Sequence, residues 1–166
     1  MFIPFETLPA NARVWIYQSD RYLTGEEEDY LLTELKPFCE QWNAHGQPLR
    51  TSFKIEHHFF VVLAVDENYN DASGCSIDGS VRILKSFQEK FGINFLDRSR
   101  VAFQLNNEIN SFALPELRNL FSSGRLTATT PTFNNLVPTK LDFEKNWLIP
   151  VEKSWLAKYL PKAAVA

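Results

Sequence analysis

Apolar positions change period several times along this chain, and each change marks an element. Residues 13–17 (Arg-Val-Trp-Ile-Tyr) are β-branched and aromatic, which predicts a strand. Thr24 with Glu27 three residues on is a capping box, and the acidic run 26–29 suits the positive end of a helix dipole. Leu31, Leu35, Phe38, Cys39 and Trp42 then recur at helical spacing. Pro37 is expected to kink that helix and His45-Gly46 to end it.

Leu49, Thr51, Phe53 and Ile55 alternate with polar residues, the pattern of a half-buried strand. Residues 59–65 are apolar on both faces and predict a central strand, with Glu56-His57-His58 as the turn between the two. Residues 66–74 are polar and turn-rich. A second helix follows, with Ile77, Val81, Leu84, Phe87 and Phe91 on one stripe and Gly92 closing it. Val101, Phe103 and Leu105 alternate as another strand.

This order is β-α-β-β-α-β, so the expected fold is α+β and ferredoxin-like, a four-stranded antiparallel sheet with helices on one face. Residues 13–107 would form that core and 111–166 a C-terminal extension packed on it, in a single domain spanning 1–166. In the extension, Pro115, Leu117, Leu120, Phe121 and Gly124 predict a short helix. Residues 127–139, with Pro131 and Pro138, read as ordered loop. Val151, Trp155 and Tyr159 predict a last helix stopped by Pro161.

The length of 166 residues and the apolar share of 45% fit one globular core, and fourteen Phe point to bulky packing within it. The net charge is −3 with no basic run, so a nucleic-acid partner is not expected. The longest apolar run is too short to span a bilayer, and residues 1–6 do not resemble a signal peptide; a cytoplasmic protein is expected. Cys39 and Cys75 form no C-x-x-C pair, which predicts two free thiols and neither a metal site nor a cofactor. Adjacent His57 and His58 point to opposite strand faces and do not suit one ion. The cluster Asp97-Arg98-Ser99-Arg100 reads as exposed charge ahead of a strand.

One turn carries candidate chemistry. Residues 71–78 (Asp-Ala-Ser-Gly-Cys-Ser-Ile-Asp) lead from the central strand into the second helix. A helix start offers unpaired N–H groups, which ease ionisation of a thiol and also seat anions. Cys75 is therefore the candidate nucleophile. His45 is its candidate base, because the expected topology puts the end of the first helix beside the start of the second. Ser73, Gly74, Ser76 and Asp78 are candidate ligand contacts; Ser76 or Asp78 reads equally well as a plain N-cap, and Cys75 as a buried apolar residue.

The runs Trp15-Ile16-Tyr17-Gln18-Ser19, Ala72-Ser73-Gly74-Cys75-Ser76-Ile77-Asp78 and Phe133-Asn134-Asn135-Leu136-Val137 resemble an uncharacterised bacterial family of about 160 residues. Its members are often labelled "ABC transporter ATPase". The resemblance spans nearly the whole chain and implies no catalytic residues. A P-loop needs G-x-x-x-x-G-K-[ST], and the segment from Gly74 to Gly79 has no Lys where that motif requires one. The expected function is thus a binding, interaction or regulatory domain without nucleotide hydrolysis, open to homodimer formation through an edge strand. The alternatives are a thiol-dependent hydrolase or transferase using Cys75, and a binder of small anions at 73–78.

Overall fold

The computed structural model describes residues 1–68 and 74–162, and of residues 74–76 the backbone alone. In chain order the first elements are β1 (Arg13–Gln18), α1 (Gly25–Gln41), β2 (Asn43–Ala44), β3 (Gln47–Pro48), β4 (Arg50–Glu56), β5 (Phe60–Asp66) and α2 (Gly74–Phe91). They are followed by β6 (Arg100–Leu105), β7 (Glu108–Ala113), α3 (Leu117–Ser122), β8 (Pro131–Phe133), α4 (Lys140–Asn146) and β9 (Leu148–Pro150). This is an α+β chain with several antiparallel sheets. It divides into two compact units: Met1–Asp97 with Asn135–Lys145, and Arg98–Asn134 with Asn146–Ala166.

The first unit is built on a sheet of order β1-β5-β4, antiparallel throughout. The apolar run becomes the central strand β5, buried along its whole length. Val61, Leu63 and Val65 share a core with Leu31 and Leu35 of α1 and Leu84 and Phe87 of α2. The capping box forms as the sequence predicts: Glu27 N–H donates to Thr24 Oγ1 at 3.3 Å and Thr24 N–H to Glu27 Oε2 at 2.8 Å. Tyr30 packs on Phe87 and Phe91 near the finish of α2, whereas Phe38 lies against Gly79 near its start. The two helices therefore run antiparallel.

Pro37 lies inside α1, which ends at Gln41, earlier than His45-Gly46 would have ended it. His45 (φ 52°) and Gly46 (φ 77°) instead form the two-residue turn of the small β2–β3 hairpin. Two successive positive φ values are what a type I′ hairpin turn requires. Trp42 ends the helix in extended conformation, and its ring is held between Phe38 and Trp15.

The fourth strand of a ferredoxin-like sheet would lie beside β1. Residues 138–140 reach that edge instead: Val14 N–H donates to Pro138 O, and Lys140 N–H to Ala12 O. The strand expected there, β6, turns back at Asn106-Asn107, both at positive φ, and pairs with β7. Such a two-residue hairpin closes locally at little entropic cost. The observed first sheet thus keeps three strands in the expected relative order and differs from the expected ferredoxin-like sheet at the fourth.

The second unit carries a sheet of order β7-β6-β8-β9. Its core joins Val101 and Phe103 of β6 to Leu117, Phe121, Leu126, Val151 and Leu156. The short helix α3 forms where Pro115 predicts it and ends before Gly124 at φ 77°. The expected loop 127–139 contains β8. The expected last helix is two 3-10 turns, Val151–Lys153 and Trp155–Tyr159, separated by Ser154, whose Oγ accepts from Leu156 N–H. That side-chain cap restarts the chain and breaks the continuous helix which the spacing of Val151, Trp155 and Tyr159 suggests.

Candidate functional site

Residues 69–73 lie outside the described residues, and with them Ser73. Gly74 is the first residue of α2 and Cys75 the second, so the helix is already under way at Ser76 and Asp78. Neither can be the N-cap that the sequence suggested. Asp78 is exposed in the helix body. Of Cys75 and Ser76 only the backbone is described. The free N–H groups of the helix start belong to its first turn, from Gly74 onward.

His45 sits exposed at the tip of the β2–β3 hairpin, two residues beyond Asn43. The antiparallel pairing of α1 and α2 brings the start of α2 to the end of the unit from which this hairpin leaves. His57 and His58 form the β4–β5 turn, both at φ 55°. The imidazole Nδ1 of His58 pairs with Glu28 in the first turn of α1, at the other end of that helix. Among the described residues no group of three His, Cys, Asp or Glu is placed to hold a metal ion. No described helix is long and apolar enough to cross a membrane.

Cys39 is a core residue. Its thiol is pushed up to about 12, first by burial away from water. Thr51 Oγ1 donates to the Cys39 carbonyl at 2.6 Å and fixes the helix to β4. A thiol so desolvated is inert at neutral pH. Arg100, read from the sequence as exposed charge, is half-buried and donates to Ser111 Oγ at 3.1 Å and Ser111 O at 2.7 Å.

A surface groove of about 500 Å³ opens where α1 finishes and α2 begins. Phe38, Trp42 and Ile83 supply its apolar lining, and Gln41, Asn43 and Arg82 its polar one. Phe38 and Trp42 are in ring contact at 4.8 Å, and Trp15 backs Trp42 at 5.8 Å. Close approach of the helices sets the floor, because Gly79 has no side chain to hold α2 away from Phe38. The Trp42 indole N–H is buried without a hydrogen-bond partner among the described residues. Arg82 is exposed and has no carboxylate partner there.

Helical periodicity places positions 75, 79 and 82 on one stripe of α2. Position 75 is thus one helical turn from Gly79 at the groove. In the sequence, Phe38 and Trp42 read as two members of the apolar stripe of α1. The available signal was Gly79 inside an otherwise well-filled helix, a residue that marks close approach.

No protein-family profile, curated protein or solved structure matches the chain.

Proposed function

We propose that this protein is a binding module whose groove between α1 and α2 takes a small ligand with an apolar, planar body and an anionic group. The observation that carries the reading is the exposed guanidinium of Arg82, without a carboxylate partner among the described residues, at a groove of about 500 Å³ lined in part by Phe38. The groove is open to solvent, so it suits a ligand of which one face is covered, held by a few polar groups over an apolar lining. Phe38 and Ile83, both half-buried, would take the ligand body, with the buried Trp42 ring supporting Phe38 from beneath, and Arg82 would take its charge through paired N–H donors. The first N–H groups of α2, at the same end of the unit, favour the same sign of charge. The sequence supports no P-loop, so nucleotide hydrolysis is not part of this reading.

The test uses 8-anilinonaphthalene-1-sulfonate, an aromatic sulfonate whose emission rises on binding. Saturable binding to the folded protein is expected, with affinity falling about tenfold in Arg82→Gln, the loss of one charge-assisted contact. Ile83→Trp, which fills the groove, is expected to abolish it. Binding indifferent to both substitutions would sink the proposal.

A thiol-dependent activity is the second reading, favoured by the position of Cys75 one helical turn before Gly79 in α2. It requires a thiol that alkylates in the folded protein with a pH midpoint below the ordinary cysteine value. The chain has two cysteines, so in Cys39→Ala the reagent reports Cys75 alone. No alkylation before unfolding would exclude this reading.

A further inference from the structure

The net charge of −3 conceals a division between the two units. The first unit carries ten Lys or Arg against seventeen Asp or Glu, a formal −7. The second carries seven against three, a formal +4. Of its three carboxylates, Glu116 is already used, accepting from Ala113 N–H at 2.9 Å.

Within this basic unit, cations and rings alternate over one surface. Lys158 Nζ lies 5.3 Å from the ring centres of both Trp155 and Tyr159. The Arg118 guanidinium lies 5.4 Å from the same Tyr159 ring. Trp155 and Tyr159 meet edge to face at 6.1 Å, and Trp155 remains 49% exposed. Arg118 and Lys158 are both exposed and form no ion pair among the described residues. Tyr159 packs on the unit's core, so the array is anchored to a fixed frame.

We infer that this array, Trp155-Lys158-Tyr159-Arg118, is a docking surface for an acidic segment of a partner protein. The rings orient the two cations and shed part of their water, which strengthens a carboxylate contact relative to a free surface lysine. Half-exposed Trp and Arg are also the residue types that anchor protein interfaces. The array favours carboxylates over nucleic-acid bases, because Lys158 and Arg118 already occupy the positions against the rings on which bases would stack. An acidic segment can bridge both cations without displacing either.

The experiment measures fluorescence anisotropy of a fluorescein-labelled octaglutamate peptide titrated with the whole protein at low salt. Saturable binding is expected, weakening with added salt. Lys158→Glu and Arg118→Glu should each lower affinity about fivefold, the upper range for an exposed ion pair. Trp155→Ala should lower it as well, while Lys85→Glu, a charge reversal on the other unit, should not. Circular dichroism checks that each variant is folded. No saturable binding, equal loss in Lys85→Glu, or no loss in the two array variants would each overturn the inference. It would also fall if a twenty-residue thymidine oligonucleotide or phosphatidylserine vesicles bound through these residues while the peptide did not.

Discussion

Gly79 stands so close to Phe38 that a β-carbon at position 79 would lie 2.5 Å from Phe38 Cε2. That distance is well inside van der Waals contact, and the ring cannot turn aside freely because it is held against Trp42 at 4.8 Å. Gly79→Ala should gain up to about 1 kcal/mol in helix propensity. It should lose about 1–3 kcal/mol to overpacking. The expected outcome in urea unfolding is net destabilisation, recovered in part by Phe38→Leu, which removes the clashing ring edge. A neutral or stabilised Gly79→Ala would show that α1 and α2 are free to separate, and that the groove between them is not fixed.

Acid should act on the first unit through Glu27. Its carboxylate is held below its ordinary 4.5, first by the Arg21 guanidinium and then by Thr24 N–H, against the opposing effect of burial. Arg21 grips it with two bonds, of 3.0 and 2.7 Å. A carboxyl lowered on folding contributes stability that is fully present above about pH 4.5 and is lost as pH falls through the folded value. Glu27→Gln should therefore cost about 1–2 kcal/mol at pH 7. The gap between variant and wild type should narrow below pH 4. A gap independent of pH would mean that the charge contributes nothing.

The parts that were legible in the sequence are those decided locally. Thr24 and Glu27 are three residues apart and form their cap without reference to the rest of the chain. The seven-residue apolar run becomes a strand buried on both faces because no other position satisfies that pattern. The misread parts depend on distant partners. Residues 138–140 reach the edge of β1 from more than a hundred residues away, and nothing near Arg13 signals it. Helix α4 carries only Leu141 and Phe143 as apolar residues, too few for a periodic signal. For the candidate site, the neighbourhood was legible and the lining was not. The antiparallel helices follow from the expected topology, but Arg82 reads as one more solvated charge until Phe38 and Trp42 lie beside it. The charge division stayed hidden because each unit is assembled from two separated stretches of chain.

Cys39 should be silent in the folded protein. Its thiol lies in the core with the pKa raised to about 12, so little thiolate exists at pH 8. Titration with Ellman's reagent should therefore detect at most one fast-reacting thiol before denaturant and two after it. Cys75→Ala should leave no fast thiol. Fast reaction of Cys75→Ala without denaturant would show that α1 opens from β4 at low cost. Cys39→Ala itself should cost about 1–2 kcal/mol through the small cavity it leaves.

Lys140 secures the returning segment to the start of the chain. Its side chain is 9% exposed, and Nζ donates to the carbonyls of Glu6 at 2.9 Å and Leu8 at 2.8 Å. Glu144, half exposed at 3.8 Å, adds little to that. Lys140→Met keeps most of the stem and removes both donors, leaving the Leu8 carbonyl buried without its partner. A loss of about 1–3 kcal/mol is expected. Glu144→Gln should change stability by less than about 0.5 kcal/mol. Equal effects from the two substitutions would assign the role to the ion pair instead.

Two side chains cap backbone groups on the outer edge of β7. In a hairpin with a two-residue turn at Asn106-Asn107, the backbones of Ser111 and Ala113 face away from β6. Arg100 Nη2 takes the Ser111 carbonyl, and Glu116 takes the Ala113 N–H. Two of the outward backbone groups of this edge are thereby occupied, which makes it a poorer template for a second copy. Arg100→Ala with Glu116→Ala should expose them at a cost of about 1 kcal/mol each in stability. The double variant should also show concentration-dependent association in analytical ultracentrifugation that the wild type lacks at this edge. A lysine placed at Ser111, pointing charge along the same edge, should reverse that association. A double variant that stays at the wild-type association state would show that the edge is protected by something other than these two caps.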